Sequence, residues 1–222
     1  MIVTTDFRLT VDDAREAVMP GQLERPGMQR RFEAALSDLE EVAAPAACYE
    51  AHAIERILHE RIELAGGTRI GGGPLTSIVG GADELYVAVC TLGATLDERI
   101  REHREEGRYL EMLLLDELGS WAVDQVREQL REHIRGEVSQ CGRHLSGALS
   151  PGESSSWPIR EQRKLFRLVD AAEIGVMLGM GDLMSPIKSI SLVFGAGGEP
   201  LSGAAVSRCH YCSIRDRCRY AA

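Results

Sequence analysis

YLEMLLLDELGSWAVDQVREQLREHIR, residues 109–135, decides the fold. Leu115, Leu118, Ala122, Val126, Leu130 and Ile134 recur at spacings of three and four, which stacks them on one face of an α-helix. At about 1.5 Å per residue such a helix runs for nearly 40 Å, long enough to support a sheet. The sheet's best strand lies upstream, in Leu85-Tyr86-Val87-Ala88-Val89-Cys90, a β-rich run bounded by Asp83-Glu84 and Gly93. Cys90 reads there as a small core residue. A second strand is expected over residues 187–194, where side chains alternate between two faces.

Further helices are expected over residues 10–19, 28–42 and 96–106, with a short amphipathic one over 160–169. Residues 48–64 are ambiguous: Ile54, Ile57, Leu58 and Ile62 fit a helix, and a strand fits as well. Residues 66–81 are rich in glycine around Gly71-Gly72-Gly73-Pro74. No Gly-Lys-Ser/Thr follows and no GxGxxG is present, so this stretch reads as a turn or strand connection rather than a nucleotide loop.

The chain has 222 residues, 44% hydrophobic and 27% charged, with a net charge of −9. That composition suits an ordinary folded protein and argues against disorder. No apolar run reaches the roughly 18–20 residues that span a bilayer. The first fifteen residues carry charges where a signal peptide needs an apolar stretch, which points to the cytoplasm. The acidic balance, without a basic cluster, lacks the electrostatic footprint of a nucleic-acid binder.

Two sets of residues carry chemistry. Asp124 and Glu128 stand four apart on the long helix and share a face that attracts a cation; Arg127 and Arg131, with Glu132 beside them, are the neighbours that would otherwise satisfy them in a surface ion network. At the other end of the chain, Cys209-His210-Tyr211-Cys212 followed by Cys218 makes Cys-x2-Cys-x5-Cys. Cys209, Cys212 and Cys218 suit a zinc ion, with Cys141 or His210 as fourth ligand, or an iron–sulfur cluster with one open iron. Free or redox-active thiols are the competing reading.

A further group of motifs is Ser150-Pro151-Gly152, Trp157-Pro158, residues 161–166 (Glu-Gln-Arg-Lys-Leu-Phe), Ile174-Gly175-Val176-Met177-Leu178, and then Met184, Pro186, Ser189 and Ser191. In this order the motifs resemble the reactivation domain of cobalamin-dependent methionine synthase, in particular short stand-alone members of that family. With the long acidic helix, the resemblance covers roughly residues 109–200. It implies an α+β fold with long helices packed on a curved, mostly antiparallel sheet. It divides the chain into an N-terminal helical segment (1–65), a reactivation-like domain (66–200) and a Cys-rich tail (201–222).

The resemblance also implies a function. In the family the domain binds S-adenosylmethionine beside a corrinoid, which is reduced by one electron and then methylated. The implied ligand pocket lies between the long helix, the Ser150-Pro151-Gly152 loop and the strand after Pro186. Its residues would be Asp124, Glu128, Arg143, Pro151, Gly152, Glu153 and Ser189. The family's arginine and tyrosine contacts in that loop are replaced by Ala148 and Glu153, and its tyrosine pair after the last strand is replaced by residues 195–203. No Asp-x-His-x-x-Gly is present, so the corrinoid would sit on a partner methyltransferase, with a flavodoxin or ferredoxin as electron donor. The alternative is a non-catalytic binding module of the same fold with a metal- or cluster-bound tail.

Overall fold

A computed structural model describes residues 1–9, 14, 15, 18, 26–153, 157–201 and 215–217. The fold is α+β, with helices packed on a curled antiparallel sheet. Its strands are β1 (Ile2–Thr4), β2 (Ala46–Ile57), β3 (Arg61–Leu64), β4 (Arg69–Gly71), β5 (Glu84–Thr91), β6 (His144–Leu145) and β9 (Ser189–Gly197). A small separate hairpin is made by β7 (Met177–Leu178) and β8 (Met184–Ser185). The helices are α1 (Pro26–Val42), the short α2 (Leu75–Ile78), α3 (Ala94–Glu105), α4 (Tyr109–Gln140) and the short α5 (Gln162–Leu165). The expected helix over 10–19 falls mostly outside the described residues. Among the described residues no helix is long and apolar enough to cross a membrane.

Strand order is β4-β3-β2-β5-β9-β6, with β1 also paired to β2, and every pairing is antiparallel. β5 lies in the middle. Its side chains split between two cores. Ala88 and Cys90 face α1 and α4, with Phe32, Leu36, Leu118, Ala122, Leu130 and Phe194. Val87 and Val89 face the other way, onto Leu149, Trp157, Leu165 and Val193. Both faces are therefore dry, which is why β5 reads as a continuous apolar run. The helical stripe expected on α4 is buried throughout, and the helix continues to Gln140.

Residues 46–64 are strands, so the segment 1–65 contains β1, β2 and β3 as well as α1. A β-bulge explains the helix-like spacing. The register runs Ile54↔Leu64, Arg56↔Glu63, Ile57↔Ile62, with a shift between Ile54 and Arg56. The extra residue keeps Ile54 and Ile57 on one face although they are three apart, a spacing that otherwise signals a helix turn.

At the far end of β9 a glycine stands where no side chain fits. A Cβ on Gly195 would lie 2.8 Å from Val79 Cβ and 2.9 Å from Ala82 Cβ. The turn after α2 presses directly on the strand backbone. Gly195→Ala is expected to destabilise the fold by about 1–3 kcal/mol through overpacking, read as a lower urea midpoint with an unchanged slope.

Candidate functional site

Arg127 organises the neighbourhood that the acidic pair occupies. It projects from α4, and its side chain is only 7% exposed. A buried guanidinium is tolerated when carboxylates surround it. Asp124 Oδ1 lies 3.2 Å away, Glu128 Oε1 2.6 Å and Glu153 Oε1 3.8 Å. Arg131 reaches Glu128 from the next turn, at 3.5 Å. The first two acids come from the helix itself. Glu153 arrives from the loop that follows β6.

That loop is pinned at both ends. Ser146 N donates to Gly195 O and Ser146 Oγ accepts from Gly195 N, both at 2.8 Å. Leu149 exchanges both backbone bonds with Val193. Ser150 N then donates to Glu153 Oε2 at 3.0 Å, and Gly152 N donates to Trp157 O at 2.8 Å. Gly152 sits at φ +92°, a left-handed conformation suited to glycine, and a Cβ there would meet Ile159 Cδ1 at 3.1 Å. Pro151 and Gly152 thus form the turn that delivers Glu153 to Arg127.

A second tie fastens the lower segment. Ser191 Oγ donates to Gln162 Oε1, and Gln162 Nε2 donates to Asp182 O, both at 3.0 Å. Arg163 pairs with the Asp182 carboxylate. Gln162 and Ser191 stand 29 residues apart, so no helix or strand spacing announces their contact.

Two buried polar atoms of this cluster and its loop lack a hydrogen-bond partner among the described residues: Arg127 Nε and Ser150 Oγ. Each such atom costs about 1–3 kcal/mol unless a water or ligand meets it. The arrangement therefore offers carboxylates for a cation and polar side-chain atoms for hydrogen bonds, beside a constrained loop.

The structure brings Asp124, Glu128, Pro151, Gly152 and Glu153 together and places two expected residues elsewhere. Arg143 binds Asp83, Glu84 and the Ala196 carbonyl. Ser189 Oγ donates to Thr91 Oγ1 at 2.8 Å. Glu84 and Thr91 are opposite ends of β5, so Arg143 and Ser189 stand about 23 Å apart at strand rise. The expected metal ligands Cys209, Cys212 and Cys218, and His210, lie outside the described residues. Cys141 is exposed, whereas Cys48 and Cys90 are buried. Among the described residues no group of three or more His, Cys, Asp or Glu is placed to hold a metal ion.

Comparison with known proteins gives one line of likeness. No protein-family model matches the chain, and no curated protein matches it. Among solved structures, it is similar to the MetH reactivation domain bound to AdoHcy. The TM-score is 0.63 at 16% identity, covering 85% of this chain and 70% of that one. The two chains share a fold.

Two outcomes are expected. Gly152→Ala forces a left-handed alanine against Ile159 and lowers stability by about 1–3 kcal/mol, read from urea unfolding. Burial pushes the Cys48 thiol up to about 11 and raises that of Cys90. A thiol raised this far stays protonated, and so unreactive, at pH 8. Iodoacetamide at that pH should label Cys141 in the native protein and spare Cys48 and Cys90 until denaturant is added, as read by peptide mass mapping.

Proposed function

We propose that this chain is an accessory factor for the reductive reactivation of a corrinoid methyltransferase, binding S-adenosylmethionine between α4 and the loop over residues 146–153. The observation that carries the reading is the carboxylate cluster beside orphaned polar atoms, in a fold shared with a reactivation domain solved with AdoHcy.

The residues fit such a ligand in its charge and polarity. When bound, S-adenosylmethionine supplies a methyl group on a positively charged sulfur. Asp124, Glu128 and Glu153 provide the negative field that favours a sulfonium over a neutral thioether. Ser150 Oγ provides a hydrogen-bonding atom already removed from water. Arg127 holds the carboxylates in place and limits their free charge. The Gly152 turn keeps Glu153 at the cluster. Proximity is the remaining contribution: a methyl donor held rigidly on this chain meets a corrinoid presented by the partner. Met177, Met180, Leu183 and Ile187, 65–94% exposed on and beside the β7–β8 hairpin, supply apolar surface for that partner. An electron donor such as a flavodoxin or ferredoxin belongs to the same reading.

Arg127 also favours a second reading, a non-catalytic binding module of the same fold, because it already places a cation among the three carboxylates. Calorimetric titration separates the two. S-adenosylmethionine should bind more tightly than S-adenosylhomocysteine, since the ligands differ by a methyl and a positive charge. Asp124→Asn combined with Glu128→Gln should weaken the sulfonium ligand by about tenfold and the thioether much less. Absence of heat with either compound leaves only the binding module.

A further inference from the structure

A cavity of about 770 Å³ opens away from the carboxylate cluster, at the β3–β4 end of the sheet. Its volume falls in the range of small-molecule sites. Its wall includes Arg61, Arg69, Lys164, His59 and Glu60, over a floor of Gly71, Gly72 and Gly73. Three cations and one carboxylate thus line it, in a chain whose net charge is −9.

The cations are held from behind. Arg69 Nε lies 2.7 Å from Glu63 Oε1, and Glu63 is also gripped by Arg56 through its other oxygen. Those hydrogen bonds hold the Glu63 carboxyl below the usual carboxylate range, so it stays ionised as an anchor. Lys164 Nζ lies 2.8 Å from Glu161 Oε1, and Glu161 Oε2 accepts from Gly71 N at 3.3 Å. Glu63 and Glu161 are both largely buried, with side chains 7% and 11% exposed. They fix the directions of Arg69 and Lys164 without lining the cavity. Arg61 is different: its side chain makes no ion pair or hydrogen bond among the described residues, and it stands on the wall. A guanidinium with its fork unused, flanked by two anchored cations, suits an anion with several oxygens. Gly71 and Gly72 also line the cavity, and their amides are already spent, on Glu161 and on the Glu60 carbonyl, so the anion's partners are the side-chain cations.

We propose that this cavity binds a phosphate group, free or on a small organic molecule, with Arg61 as its principal ligand and Arg69 and Lys164 as flanking cations. The site is separate from the proposed S-adenosylmethionine site and does not rest on that reading.

The test is calorimetry on the full chain at low salt, with inorganic phosphate and with adenosine 5′-monophosphate as probes. Both should bind, and Arg61→Gln and Lys164→Gln should each weaken binding by about tenfold, Arg61→Gln at an unchanged unfolding temperature. Tighter binding of the monophosphate assigns the cavity to an organic phosphate, and tighter binding of inorganic phosphate to the free anion; either upholds the proposal. No heat with either probe, or equal binding by both variants and the parent chain, overturns it. A parallel titration of Arg61→Gln with S-adenosylmethionine should match the parent chain.

Discussion

The molecule is governed by the burial of its central sheet on both faces. β5 exchanges backbone hydrogen bonds with β2 on one side and β9 on the other, and its side chains leave water in both directions. A sheet dry on two sides needs two covers. α1 and α4 form one. The other is irregular, built from Trp157, Leu165, Val169 and Val176 on short turns. An irregular cover has backbone groups that no long helix satisfies, and these must be met one at a time. The bonds between Leu149 and Val193 and from the Gln162 side chain to the Asp182 carbonyl do this. The candidate site grows from the same requirement, since the loop that passes from α4 to the irregular face is the one that carries Glu153.

Arg127 shows how charge is handled at that crossing. Its side chain is buried on α4, and its guanidinium is compensated by carboxylates from the helix and the loop. One ion cluster therefore ties the helix to the loop, with Arg127 as the cation between Asp124 and Glu153. The glycine cavity has the opposite sign, with carboxylates behind and cations in front. Two charge clusters of opposite composition thus stand on one small sheet.

Much of the fold was legible in the residues. The stripe on α4, the apolar run of β5 and the alternation in β9 report local geometry, because burial imposes the helix or strand period directly on the side chains. Residues 46–64 escaped that logic, since the bulge near Ile54 replaces a spacing of two by one of three. The candidate site was legible in part. Asp124 and Glu128 follow from helical spacing, and the turn at Gly152 from its composition. Arg143 and Ser189 did not join them, because their partners Glu84 and Thr91 sit at opposite ends of one extended strand.

By itself the sequence determined the periodic elements and the acidic pair on α4, consequences of interactions between residues close along the chain, while the α+β class came from the resemblance its motifs carry. Only the tertiary structure decided that Glu153 completes the Arg127 cluster, that Gln162 meets Ser191, and that Arg61, Arg69 and Lys164 surround one cavity. Those encounters join residues up to 103 positions apart, as Arg61 and Lys164 are. No periodic pattern encodes such a separation; it is set by how β3, β4 and the turn before Lys164 close on one another when the second face of the sheet is covered.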